Sequence, residues 1–500
     1  MGRQSSKNTV KYMALSKRII ARLDVKGNKI IKGVRFEGLR VIGDPLDMAR
    51  KYAKAGIDEL LYIDAVASLY GRNSLIEVLK STSSEVFIPI TAGGGIRNLE
   101  DAKLLLSNGA DKIAINTAAL ECPQLISELS NTLGSQCVVV SIQARASSSS
   151  SWDAMKESGR EKSGIDVIKW IENVQLLGAG EILLTSVDQD GTCIKPDEIL
   201  IQKVLPILKL PLIVSGGFSD PNQVYQALTN SRISAVAIGA ALHYQKTNVS
   251  DIKSMLSFNN IAIRKTKEPA IENNHYLNKN NKIVGIIDYG MGNHQSLINA
   301  LHELGYSSIV SHVAEELNNC ELIALPGVGA FAKGMDNLRR MGLDQYLINA
   351  CNEGRPLIGI CLGMQLLFES SEEYGINKGL GLLNGCVSKM QEHFSSKAFY
   401  PLPHMGWNLI ESTKLAKDSG LSENSFYQYF VHSYSVKPKS DEIILHTCEY
   451  AENSIVASVL YENICGLQFH PERSGEVGIN LLDKILEKLT SGKDDQTQSL

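Results

Sequence analysis

Cys361 stands in Leu357-Ile358-Gly359-Ile360-Cys361-Leu362-Gly363-Met364-Gln365, where an apolar run passes straight into a helical pattern. Gly359 and Gly363 permit a sharp strand-to-helix turn that lifts one side chain into the open. A helix start favours the thiolate, the nucleophilic form of cysteine. Further on, Gln468-Phe469-His470-Pro471-Glu472 supplies a base and a carboxylate to orient it. The order Cys…His-x-Glu suits nucleophilic catalysis. The stretch Leu325-Pro326-Gly327-Val328-Gly329 closes another apolar run. Backbone N–H groups of Gly327, Val328 and Gly329 can aim there at a developing oxyanion. His404 and His432 compete as bases, and the His-Pro-Glu spacing favours His470.

The N-terminal half offers a second chemistry. Asp24, Asp64, Asp188 and Asp190 each close an apolar run, a placement suited to acid–base work. Asp24 leads, because it follows Ile19-Ile20-Ala21-Arg22-Leu23 and precedes the Gly/Lys-rich Lys26-Gly27-Asn28-Lys29. That loop, with Lys32 and Gly33, is placed to close over an anionic substrate. Glycines at strand ends let backbone N–H groups approach an anion closely. Pro89–Ile96 and Pro211–Phe218 match at an offset of 122 (211 less 89), and the same offset lays Ile113–Leu120 on Ala235–Leu242. At this offset Gly94, Gly95 and Thr117 fall on Gly216, Gly217 and Gly239; Asn116 belongs to the first cradle, and Ala240, Asp188 and Gly191 to the second. Two such cradles imply a ligand with two phosphates. Arg18, Glu59, Lys112 and Glu181 stand at or just before strand starts, where two cations and two anions can close a salt-bridged ring.

The elements that position these residues follow from periodicity. Candidate strands run over 19–25, 59–65, 86–93, 112–117, 137–143, 181–188, 210–217 and 233–239, most followed by a helix-sized gap. Eight strands in roughly 250 residues are the mark of a (β/α)8 barrel, here of duplicated half-barrels; a doubly wound sheet is the alternative. Residues 282–490 alternate strands and helices as a three-layer α/β domain. The expected organisation is a barrel over 14–263, an Asn-rich linker over 264–281, the second domain over 282–490 and a disordered tail over 491–500. Ser147–Ser151 reads as a solvent loop.

Composition bounds the function. A net charge of -4 with 21% charged residues describes an ordinary soluble chain. No Lys/Arg block points to nucleic acid and no apolar run reaches membrane-spanning length. Nine scattered cysteines without CxxC or Cys/His spacing suit reduced thiols in a cytoplasm and give no metal or other cofactor site.

Together these motifs resemble the imidazole glycerol phosphate synthase family. Residues 282–490 look like its class I glutamine amidotransferase, whose triad maps onto Cys361, His470 and Glu472 and whose oxyanion strand maps onto 326–329. Residues 14–263 look like its cyclase barrel, with the ammonia gate at Arg18, Glu59, Lys112 and Glu181. The resemblance implies that glutamine is hydrolysed and that ammonia crosses the barrel to PRFAR, a bisphosphate. The products would be imidazole glycerol phosphate, AICAR and glutamate, a step of histidine biosynthesis.

The barrel also departs from that pattern. The first cyclase aspartate matches Asp24, but the second falls on Gln143, which cannot take up a proton at ordinary pH. A serine expected after strand 8 is Ala240. Other segments, among them Glu37–Gly43 and Ala67–Asn73, resemble a paralogous branch that supplies ammonia to a partner enzyme for acetamidino modification of surface-polysaccharide sugars. A barrel that only binds a phosphorylated effector is a third reading.

Overall fold

The computed structural model describes residues 15–67, 75–265, 282–395, 398–421 and 425–491. The expectations placed on 68–73, on most of the linker and on the tail beyond 491 lie outside these residues. Eight parallel strands close into a barrel: Arg18–Lys26, Glu59–Asp64, Ile90–Gly93, Lys112–Ile115, Val138–Ser148, Glu181–Ser186, Leu212–Ser215 and Ile233–Ile238. The first strand pairs with the eighth and the fifth with the sixth, so the ring has no open edge. Runs such as Glu181–Ser186 are buried along their whole length, as strands covered by helices on the outside and side chains in the bore must be. The helices between them are capped by the preceding acid: Asp44, Asp166 and Asp220 each accept from the first backbone N–H groups.

Two decorations depart from the sequence reading. Lys26–Lys29 is not a closing loop but the turn of a hairpin, with Lys29–Val34 antiparallel to the first strand and Glu37–Gly43 antiparallel to that. The Ser147–Ser151 insertion is the tip of a three-stranded meander continued by Ser151–Lys156 and Glu161–Asp166. Alternation of the buried Trp152 and Ala154 with the half-buried Ser151 and Asp153 was hidden there by the serine run. The predicted 86–93 strand is shorter, Ile90–Gly93, because residues 86–89 lead into it without sheet pairing.

The second unit is built on a nine-stranded sheet. Five parallel strands, Ser307–Ser311, Ile283–Ile287, Leu322–Gly327, Leu357–Cys361 and Ile464–Leu467, lie in that order. Antiparallel strands extend the sheet through Asn453–Tyr461, Ile444–Tyr450, His404–Ser412 and Phe426–His432. The last two face the barrel: Met405, Trp407, Tyr429 and Val431 share one apolar cluster with the barrel's core. Trp407 Nε1 donates to Asp58 O at 3.0 Å, and Arg264 lies over the Trp407 ring at 4.2 Å while pairing with Asp58.

Candidate active site

Cys361 sits at the junction of its strand and the helix Leu362–Leu366 with φ 54° and ψ -107°, a conformation costly for a non-glycine residue. The elbow is held by close packing. A Cβ on Gly363 would collide with the Leu325 carbonyl oxygen, and one on Gly359 would lie 2.8 Å from the Gly363 backbone. The parallel register sets Gly327 beside Cys361, so the 327–329 turn and the thiol reach the same strand ends.

His470 Nδ1 and Glu472 Oε1 lie 2.7 Å apart, both buried. Burial alone would lower the His470 pKa; the Glu472 carboxylate, then Cys361, outweigh it and hold the imidazole well above its ordinary value. Nδ1 is engaged by Glu472, which leaves Nε2 as the nitrogen free to serve the thiol. The competing bases are occupied elsewhere. His404 Nδ1 and His432 Nε2 share a hydrogen bond at 3.0 Å, and His432 Nδ1 donates to Tyr434 O at 2.8 Å. Burial pushes the His432 pKa down to about 4 and that of His404 well below its ordinary value.

A chain of contacts leads from this thiol to the barrel. Cys361 Sγ is 4.0 Å from Val431 O, Val431 pairs with Met405, and Met405 Sδ is 3.6 Å from Lys112 Nζ. Lys112 belongs to the ring expected from sequence, and the ring is closed. Arg18 Nη1 meets Glu59 Oε2 at 2.8 Å and Arg18 Nη2 meets Glu181. Lys112 Nζ lies 2.6 Å from Glu59 Oε1 and 2.8 Å from Glu181 Oε2. All four are buried, so two cations and two anions compensate one another where unpaired charges would be costly. Above them an apolar layer of Ile20, Leu61, Ala114, Val139, Leu183 and Ile213 lines the bore.

The mouth of the barrel is asymmetric. Gly94, Gly95, Gly216 and Gly217 all take positive φ, so both glycine pairs present the turns that the repeat predicts. Over the second to fifth strands Gly94, Gly95, Asn116 and Thr117 line a cavity of about 200 Å³. The opposite cleft, with Gly191, Gly216, Gly217, Gly239 and Ala240, holds only about 10 Å³. Beside it, sharing Asp190, lies a cluster that the sequence did not reveal. Lys32 Nζ reaches Asp24 Oδ2 at 2.6 Å and Asp190 Oδ2 at 2.9 Å, and Arg22 Nε reaches Asp24 Oδ1 at 2.9 Å. Lys32 is therefore bound within the protein rather than free over a substrate. Burial would raise the Asp24 carboxyl, but Arg22 and Lys32 hold it well below the usual carboxylate range. Asp188 is not in the cleft either: it accepts from Ala146 N at 2.8 Å, and Asp190 takes its place.

Among the described residues no cluster of metal-ligating side chains occurs, and no helix is long and apolar enough to cross a membrane. Residues 18–248 match a family model of histidine biosynthesis proteins, and residues 285–488 match class-I glutamine amidotransferases. The barrel is 54% identical over 200 residues to the "Imidazole glycerol phosphate synthase subunit HisF" of Legionella pneumophila, covering 40% of this chain and 94% of that protein. It is 41% identical over 253 residues to the protein of the same name from Nostoc sp., covering 50% of this chain and 98% of that one. The chain belongs to the imidazole glycerol phosphate synthase family. It is an enzyme, a HisF-like cyclase-type barrel joined in one polypeptide to a class I glutamine amidotransferase. A counterpart from Trichormus variabilis is 42% identical over 253 residues, 50% of this chain and 98% of that protein.

Proposed function

We propose that this enzyme hydrolyses glutamine at Cys361 and passes the ammonia through the barrel to an acceptor at its mouth. Cys361 attacks the carboxamide, His470 shuttles the protons, Glu472 orients His470, and N–H groups of Gly327–Gly329 hold the oxyanion. The observation that carries the reading is the contact chain Cys361–Val431–Met405–Lys112, which ends on the charged ring under the bore. Passage through an enclosed bore matters because ammonia in neutral water is mostly protonated and non-nucleophilic.

The acceptor we propose is PRFAR, converted to imidazole glycerol phosphate and AICAR with Asp24 as the acid–base group, in a cytoplasmic histidine pathway. The names of the relatives and the two glycine turns support it. A second reading is supported by the mouth: Asp24 is clamped as a carboxylate, Gln143 cannot ionise, and the cleft at Gly216–Gly217 is narrow, about 10 Å³. There the barrel supplies ammonia to a separate sugar-modifying enzyme. PRFAR turnover with glutamine or with ammonium, beside a Gln143→Asp variant, separates them. Product from the wild type supports the first reading; a silent wild type beside an active variant supports the second.

A further inference from the structure

Among the described residues, the apolar layer of the bore meets a cavity on one side of the mouth. Arg22 stands two residues beyond Ile20 on the first strand, hence on the same inward face. Its Nη1 donates to Thr185 Oγ1 at 3.1 Å and to Ser215 Oγ at 3.4 Å, on the sixth and seventh strands. Phe36 packs 5.3 Å from the guanidinium. That side of the bore is therefore roofed. On the other side Ala114, a member of the apolar layer, and its neighbour Ile63 also line the 200 Å³ cavity over the second to fifth strands.

Gln143 stands at this opening, level with Thr185 in the sheet and lining the same cavity. Gln143 is 5% exposed, yet among the described residues no group donates to its Oε1. A buried acceptor left unpaired is costly, so the atom suits a small donor that can enter the cavity, water or ammonia. Ammonia is a compact donor with one lone pair, and the bore delivers it here. A carboxamide is the suitable acceptor. A carboxylate in its place would favour the ammonium ion, whose lone pair is spent, and a carboxylic acid would hand over its proton.

We propose that Gln143 is the exit port of the ammonia path, a positioning residue whose Oε1 holds ammonia by one N–H and leaves its lone pair toward the Gly94–Gly95 cavity. Arg22 closes the alternative exit. The electrophilic carbon of the acceptor then belongs in that cavity, whichever acceptor is used. The proposal rests on the glutamine-to-barrel path above.

The test needs no acceptor. During turnover, attack of Cys361 on glutamine releases ammonia and leaves a γ-glutamyl thioester. Water cleaves its C–S bond to give glutamate; ammonia returning down the bore forms a C–N bond instead, regenerating glutamine and, through His470, the thiol. With [15N]ammonium in solution, the label entering residual glutamine is measured against glutamate formed. The wild type should exchange. Gln143→Glu should lower the ratio of exchange to hydrolysis about tenfold, the effect of a one-unit rise in the ammonium pKa, with recovery as pH rises. Gln143→Leu, which removes the acceptor without adding charge, should lower it severalfold at every pH, and suffices alone if the Glu variant does not fold. Unchanged ratios in the variants overturn the proposal, as does a wild type that hydrolyses glutamine without exchange. If Cys361→Ala still hydrolyses glutamine, the triad assignment falls instead.

Discussion

Arg473, one residue beyond Glu472, spends its guanidinium on the barrel: Nε pairs with Asp111 Oδ1 at 2.8 Å and Nη2 donates to Gly109 O at 2.6 Å. Asp111 Oδ2 in turn accepts from Ile90 N at 2.8 Å. The loop that carries His470 and Glu472 is thereby pinned to the starts of the third and fourth strands. Arg473→Met leaves a partly buried carboxylate without its guanidinium and should cost about 1.5–3 kcal/mol. Burial already raises the Asp111 carboxyl against the pull of Arg473. A raised acid gains stability as pH falls, so the variant should recover part of its loss on acidification, as denaturant unfolding at two pH values would read.

Glu472→Gln keeps the shape and removes the charge that holds His470 protonated. Glutamine turnover should fall about 10²–10⁴-fold. A raised histidine pKa contributes stability fully below its unfolded value, and that contribution is lost as pH rises through the folded one. The variant should therefore lose its protonated His470 at lower pH than the wild type, as NMR titration of the imidazole would show.

Lys112→Met leaves Glu59 and Glu181 sharing Arg18 alone. Breaking such a buried set costs about 3–5 kcal/mol. Burial opposes the Glu59 charge, but Lys112 and Arg18 hold its carboxyl below the ordinary value, so the ring's contribution is present at neutral pH and lost on acidification. Adding Glu59→Gln to Lys112→Met restores charge balance and should regain part of the stability; a double-mutant cycle by denaturant unfolding reads the coupling.

Lys32→Met frees one oxygen of Asp24 and both of Asp190. Since Asp24 is depressed by Arg22 and Lys32 against the effect of burial, its stabilising contribution holds above the ordinary carboxylate range and fails as pH falls beneath it. The variant should be less stable at neutral pH and show a smaller difference between neutral and acid stability in thermal unfolding.

The eight barrel strands were legible because each is a short apolar run closed by a turn, and the glycine repeat survived its duplication almost unchanged. The His-x-Glu spacing singled out His470 and Glu472, which the structure sets 2.7 Å apart. What stayed hidden depends on contacts far apart in sequence. Arg22 reads as an interruption of an apolar strand until Thr185 and Ser215 come round to meet it. Arg473 reads as a polar residue after a motif until Asp111, 362 positions earlier, is placed beside it. Lys32 reads as a cation placed to close over an anionic substrate until the hairpin folds it onto Asp24. The serine run concealed a strand because its alternation begins only at Trp152.

Both catalytic units sit on one polypeptide, and docking is therefore an intramolecular event. Tethering typically sets an effective concentration in the millimolar range, so dilution cannot part the two halves and their stoichiometry is fixed at one to one. Contacts such as Trp407 with Asp58 need not supply affinity. They are free to serve alignment alone, and a substitution there should alter communication between the two units before it alters assembly.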